Sequence, residues 1–459
     1  MMEKLFSLAS KLVLRYGSLQ NTVKSGLSFA RTYPVSEIVS KAKMGKDVIY
    51  PFNELEEYGR ALLGAEIYEP GYPRFHTLDR LVLLPPAFTS NRLAKMGELL
   101  REPLYTDVET ESVVGGFKVR LPLVIGSMGS TDVASRSGIE LARGAAKSGI
   151  VMGIGENVAT MRGYDRRRCR DHPSLKERLM AYLESMEDGY GGVIIQQSVE
   201  DAYDELWNRI YSDVDLEPYF EEGFMGFEIK VGQGAKPGLG GEVKVPRELA
   251  LKLKDKYYLP EDPEIVVKDF YERHSAPGTF TEGILGSMIR LLKNNYPRAK
   301  VWVKLGPYRD LDRVIKVCSN AGADAITVDG KEGGTGMSPI VALKDLGLPT
   351  LACLKRIRDA KLSGVRSSLV ISGRLYSGSH VVKALALGAD AVAMGRPFII
   401  AVQAKGAEGV INFVEAIKTE VQMLTSALDK YSLKDLSHED LGALDKDIAE
   451  ALGLSYVYS

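Results

Sequence analysis

Between residues 121 and 402 the chain returns eight times to one pattern: a short apolar run, a glycine-rich turn, then a stretch with helical spacing. The runs are LPLVIG (121–126), VMGIG (151–155), GVIIQQS (192–198), GFEIKVGQG (226–234), KVWVKLG (300–306), DAITVDG (324–330), SLVISG (368–373) and DAVAMG (390–395). Near-continuous apolar runs of this length read as strands buried on both faces, and parallel strands need a crossover, usually a helix, between them. Helical patterns fill most of the gaps, at 135–148, 281–294, 311–320 and 380–387. Eight such units predict an α/β fold, a (β/α)8 TIM-type barrel, in which the strand ends converge on one functional face.

The flanks lack this period. Residues 1–110 contain Pro51, Pro70, Pro73, Pro85 and Pro86 and read as an N-terminal helical or irregular cap. The barrel is expected over 111–410, with the polar, charged and aromatic stretches 162–188 and 199–223 as insertions over its mouth, and 411–459 as a C-terminal helical extension. Within the cap, Leu5, Leu8 and Leu12 share a helical face near Lys4, Lys11, Arg15 and Lys24, but the apolar runs are too short for a signal peptide or a membrane span. Docking on the barrel or on a sister subunit is the expected role, with a membrane surface as the alternative.

Lysine and arginine (59) balance aspartate and glutamate (60), so no global field gathers nucleic acid and any anion site must be local. Cys169, Cys318 and Cys353 are far apart and without CxxC spacing, which argues against a disulfide framework, a zinc site or a cluster and suits the reducing cytoplasm. His76, His172, His274, His380 and His438 show no ligand spacing, so no metal is expected.

Chemistry concentrates at the strand ends. The ISGR turn (371–374) and the MGRP turn (394–397) follow the seventh and eighth runs. Their glycines, Gly373 and Gly395, admit close backbone approach to an anion, a helix N-terminus adds its dipole, and Arg374 and Arg396 can fork onto phosphate oxygens. This is the usual place for a flavin phosphate; tight turns alone would use the same glycines. DGKEGGTGMSP (329–339) leaves a bare backbone at Gly333, Gly334 and Thr335, suited to an anion nest or a flavin face.

EIKVGQGAKPG (228–238) brings Lys230, Gln233 and Lys236 off one strand end, two ammonium groups and an amide that suit a keto acid or dicarboxylate; solvated surface lysines are the plainer reading. Lys304 lies in an otherwise apolar strand, where a cation can stabilise negative charge on the N1–O2 side of a reduced flavin. Glu156, after the second run, suits an acid, a base or a seat for an ammonium, and equally a cap or salt bridge. GSMGS (126–130) offers Ser127 and Met128 as small and soft contacts to a ring face, or serves as a plain turn before a capped helix.

Taken together, the GSM turn, the GE segment, IKVGQGAKPGLGG, VKL, DGKEGGTG and GADAVAMG resemble the FMN-binding synthase domain of glutamate synthases, over about residues 110–405. EEYGRALL (56–63) and LVLLPP (81–86) look like the short stand-alone branch that includes the flavin subunit of N-methylglutamate synthase. The resemblance implies FMN and the conversion of 2-oxoglutarate and ammonia to glutamate through an iminoglutarate. It assigns Lys230 and Gln233 to the oxoacid, Lys304 to the flavin, Glu156 to the ammonia or imine side, and Gly373, Gly395 and Arg396 to the phosphate. The large members carry a cysteine triplet after the last strand, whereas the last cysteine here is Cys353, so no iron–sulfur cluster is expected. The chain also does not open with the cysteine nucleophile of a glutaminase domain; ammonia is expected from solution, from an amine substrate, or from a separate amidotransferase subunit, and electrons from the substrate or a donor subunit. A homo-oligomer is expected. Two other readings share the barrel: an isomerase of the FMN-dependent isopentenyl diphosphate type, and a regulatory flavin subunit.

Overall fold

The computed structural model describes residues 35–46, 78–168, 170–234, 236–255, 257–333, 342 and 345–459. Expectations at Leu5, Leu8, Leu12, Pro51, Pro70, Pro73, His76, Cys169, Gly334 and Thr335 lie outside the described residues. Among the described residues three short strands precede the barrel: β1 (Leu81–Leu83), β2 (Ser112–Val114) and β3 (Phe117–Val119). All eight apolar runs become barrel strands: β4 (Leu123–Met128), β5 (Val151–Ile154), β6 (Gly192–Gln196), β7 (Met225–Lys230) and, beyond the excursion strands β8 (Glu242–Pro246) and β9 (Phe270–His274), β10 (Lys300–Leu305), β11 (Ala325–Asp329), β12 (Ser368–Ser372) and β13 (Ala391–Met394). They close in the order β10-β11-β12-β13-β4-β5-β6-β7, every pair parallel.

Alternation along each strand divides inside from outside. Phe227, Ile229, Val301 and Val303 pack outward against the helices, while Val124, Val151, Ile194, Trp302 and Val370 fill the interior. The β2–β3 hairpin plugs the N-terminal mouth. Its Phe117 ring lies 6.0 Å from that of Trp302, and Trp302 Nε1 donates to the Gly115 carbonyl at 3.1 Å. Two residues beyond Trp302, on the same inner face, Lys304 stands opposite Lys230 in the β10–β7 register. A one-residue slip of either strand would turn its ammonium group outward into the helical layer.

Three expectations about the flanks and insertions change. The stretches 162–188 and 199–223 hold covering helices rather than mouth insertions alone: Leu175–Leu183 packs on Gly138–Lys147, and Leu206–Tyr211 buries Leu206, Trp207 and Ile210. Charged residues between the apolar positions hid that stripe, although the Ser174–Glu177 capping box marks where the first of these helices begins. The larger excursion instead lies between β7 and β10, where β8 and β9 pair antiparallel around a small core of Val245, Ala250 and Tyr271. The C-terminal segment, expected to be helical, also contributes strands β14 (Leu441–Ala443) and β15 (Ser455–Tyr456), β14 pairing antiparallel with β1 and thus tying the two flanks together. These strands are too short for a sequence period to show. Helix Arg396–Ala427, interrupted by non-helical backbone at Lys405 and Gly406, packs on Val35–Met44 and Gly138–Lys147. Among the described residues no helix is long and apolar enough to cross a membrane.

Candidate active site

The C-terminal ends of the barrel strands open into a cavity of about 840 Å³. Glu156 follows β5, Lys230 ends β7, and the two side chains meet at its wall as a hydrogen-bonded ion pair. Burial works against the Glu156 carboxylate, but the Lys230 ammonium, with Lys304 behind it, holds its pKa below the ordinary glutamate value. The turn that presents Glu156 is built locally. Asn157 adopts the left-handed conformation, and the buried Asp201 accepts from Asn157 N at 2.7 Å and from Thr160 Oγ1 at 2.7 Å.

Lys304 sits deeper. Burial disfavours its charge, yet Asp329, Glu228 and Glu156 together raise its pKa above that of a free lysine, so it is a fixed cation. Its Nζ is 3.7 Å from Asp329 Oδ2, which also accepts from Gly234 N at 2.8 Å, while the buried Asp329 Oδ1 has no hydrogen-bond partner among the described residues. Glu228, inward-facing two residues before Lys230, accepts from Gln196 Nε2 at 2.6 Å and from Ser127 Oγ at 2.7 Å. Ser127 and Met128 both line the cavity, and the Ser127 proton is directed down into Glu228.

Gln233 and Lys236 join the same cavity. Lys236 is only 8% exposed; burial, with the Lys230 charge nearby, lowers its pKa to about 8. The opposite wall carries Gly373 and Arg374 after β12, and Gly395 and Arg396 after β13. At Gly373 φ is +139° and a Cβ would drive into the Thr350 hydroxyl, so only glycine fits. Helix Arg396–Ala427 begins at the cavity with Pro397 in its first turn and no side-chain cap, leaving its positive end directed at that wall. The helix after the ISGR turn does not do the same. At Gly378–Ala386 the N-terminus is occupied by the chain itself, with Gly378 N donating to Glu420 at 2.6 Å and His380 N to Ser377 Oγ. The two guanidinium groups are held in place: Arg396 Nη2 donates to the Glu332 carbonyl at 3.0 Å, and Arg374 lies over Tyr376 and 3.9 Å from Asp79. Gly333 also lines the cavity, against Asp329.

The sequence model of the conserved region in glutamate synthase matches residues 92–409, a span that contains every barrel strand and every cavity residue named above. The chain belongs to the glutamate synthase family. A glutamate synthase large subunit-like protein of Rhizobium meliloti is 34% identical over 183 residues, 38% of this chain and 39% of that protein. An archaeal glutamate synthase [NADPH] of Archaeoglobus fulgidus is 33% identical over 184 residues, 38% of this chain and 34% of that protein. The chain thus spans little more than a third of the length of these relatives. In fold, it is similar to the flavin-binding domain of baker's yeast flavocytochrome b2, with a TM-score of 0.51 at 18% identity over 82% of this chain and 78% of that one.

Within the family-matched span the structure adds residues that the motifs did not single out. Glu228 lies within the EIKVGQGAKPG segment two residues before Lys230, and positions two apart on a strand share a face, so it enters the barrel on the same side. Asp329 opens the DGKEGG motif. Arg273 and Tyr257 had no such signal: they reach the cavity from the β8–β9 excursion, whose fold over the mouth is a tertiary fact.

Proposed function

We propose that this chain is an FMN-dependent oxidoreductase acting on the CH–NH2 group of glutamate, or reducing the imine formed from 2-oxoglutarate with ammonia or an amine. The observation that carries this reading is the convergence, on one cavity, of the Lys230–Glu156 pair, Gln233, Lys236 and the fixed cation Lys304, opposite the Gly373 and Gly395 turns. The walls fit a phosphorylated flavin. An uncapped helix start, a turn in which only glycine fits and two held guanidinium groups form a cradle for a phosphate dianion. Gly373, Arg374, Gly395 and Arg396 would hold that phosphate, Gly333 would border the ring, and Ser127 and Met128 would touch its face.

The bound flavin would supply two-electron chemistry at the substrate α-carbon. Lys304 would place a permanent positive charge beside the electron-rich edge of the isoalloxazine, where a neutral side chain would leave charge unbalanced. Lys230, Gln233 and Lys236 would bind and orient the carboxylate and keto oxygen through charge-assisted hydrogen bonds. Glu156, kept ionised by Lys230, would hold the ammonium or iminium nitrogen and exchange its proton.

The described cysteines suit no electron relay: Cys318 and Cys353 are buried, burial pushes the Cys318 thiol up to about 12 and raises Cys353 as well, and neither lines the cavity. We therefore propose that the barrel works without an iron–sulfur cluster of its own, with electrons from an amino-acid substrate, a nicotinamide or a donor subunit, and nitrogen from ammonia, an amine or an amidotransferase subunit. Exchange of methylamine for ammonia on glutamate, the chemistry suggested by the likeness to N-methylglutamate synthase, is redox-neutral and needs no external donor. A cytoplasmic location and a homo-oligomeric state complete the reading. The test is anaerobic addition of glutamate, N-methylglutamate, NADH and NADPH in turn to the flavin-reconstituted chain. Bleaching of the flavin by one of them identifies the donor, and a chain that retains no FMN after reconstitution removes the basis of the proposal.

A further inference from the structure

One cavity wall carries positive charge that the reading above leaves without a task. Arg273, on β9, is 8% exposed and lines the cavity together with its neighbour Ser275. Its guanidinium stacks 4.2 Å over the Tyr257 ring, and Nη2 donates to Ser275 Oγ at 3.1 Å. Among the described residues the buried Nε has no hydrogen-bond partner and no carboxylate is in ion-pair contact with Arg273 or with the nearby Lys236; Glu200 and Glu242 act on the guanidinium only from a distance, and burial outweighs them. A buried guanidinium without a counter-ion is costly, and arginine is otherwise almost always paired when it is buried. The stacking fixes the plane of the fork, so the remaining donors are aimed before any ligand arrives.

We infer that Arg273 is a second carboxylate seat that reads the far end of the substrate, so that the β8–β9 excursion is the element that selects dicarboxylates. This rests on the oxoacid reading of the cavity. Lys230 and Gln233 take the α-keto acid end and Arg273 takes the distal carboxylate, whose negative charge supplies the missing counter-ion. A monocarboxylic oxoacid leaves the guanidinium desolvated and unpaired, and a site built to pair a group discriminates strongly against an analogue that lacks it.

The test is calorimetric titration of the FMN-reconstituted chain with 2-oxoglutarate and with 2-oxobutyrate, for wild type, Arg273→Met and Arg273→Lys. The expected result is that wild type prefers the dicarboxylate, that Arg273→Met weakens 2-oxoglutarate binding about 10- to 100-fold while leaving 2-oxobutyrate unchanged, and that Arg273→Lys recovers part of the loss. A merely structural role for Arg273 would lower both affinities together, and that result overturns the second seat. Equal wild-type affinity for the two oxoacids, or an unchanged preference in Arg273→Met, also overturns it while the oxoacid reading stands. Failure of wild type to bind either oxoacid overturns both. If Arg273→Met does not fold, Arg273→Lys decides alone: it keeps the charge and loses the fork, so an undiminished preference counts against the inference.

Discussion

The carboxylate of Glu156 and the ammonium of Lys230 form an ion pair at the cavity wall, delivered by β5 and β7 from either side of β6. Each sits where a barrel strand ends, so their separation is set by strand spacing and tilt rather than by a mobile loop. The pair neutralises two charges that a low-dielectric cavity would otherwise penalise, and it leaves both groups within reach of a bound substrate.

If Glu156 exchanges the proton at nitrogen, Glu156→Gln lowers turnover by about 100- to 10,000-fold. The oxoacid affinity stays near the wild-type value, because the amide still fills the space and the carboxylate donors are intact. Single-turnover flavin reduction by amino acid, set against equilibrium binding of the oxoacid, separates the two effects.

Lys236 titrates at about 8 in the folded chain, against 10.5 for a free lysine. Oxoacid affinity therefore falls as pH rises through about 8, where the ammonium becomes a neutral amine, and Lys236→Arg removes that limb. Stability follows the linkage sign for a depressed pKa. The unfolded chain binds more protons between about 8 and 10.5, so the contribution of Lys236 is fully favourable above that window and is lost as pH falls through about 8. Binding isotherms and thermal melts on both sides of the window check the two statements.

Gly373→Ala sets a Cβ against the Thr350 hydroxyl at a φ of +139°. The expected cost is about 1–3 kcal/mol of stability. The turn can relax only by withdrawing from the phosphate wall, so flavin retention falls with it. The measurement is FMN bound per chain after extensive dialysis, alongside a thermal melt of the flavin-free form.

Trp302→Ala empties the interior between the β2–β3 plug and the strands, and removes the indole donor to the Gly115 carbonyl. A loss of about 3–5 kcal/mol is expected for a fully buried tryptophan, read as a lower denaturant midpoint.

Much of the architecture was legible in the chain alone. Apolar runs bounded by glycine turns mark each barrel strand, since strands buried on both faces need such runs wherever they occur. Closure followed from counting them. The candidate site was legible for the same reason: residues at the ends of parallel strands converge on one face, so Glu156, Lys230, Lys304, Gly373 and Gly395 could be placed together without coordinates.

Other features depend on packing that has no local period. The covering helix Leu175–Leu183 was masked by its own charges, and the β1–β14 pairing joins short segments far apart in the chain. Glu420 closes the helix start at Gly378, so that of the two helix starts that follow the ISGR and MGRP turns it is the Arg396 one that remains directed at the cavity, a choice made by which helices touch. Sequence by itself determined the barrel, its strand order and the set of strand-end residues, because each is a consequence of period and punctuation along the chain. Tertiary structure alone decided that Glu156 pairs with Lys230, that Lys236 is buried enough to titrate near 8, and that Arg273 enters the same cavity, because burial and charge proximity arise only when distant segments are brought together.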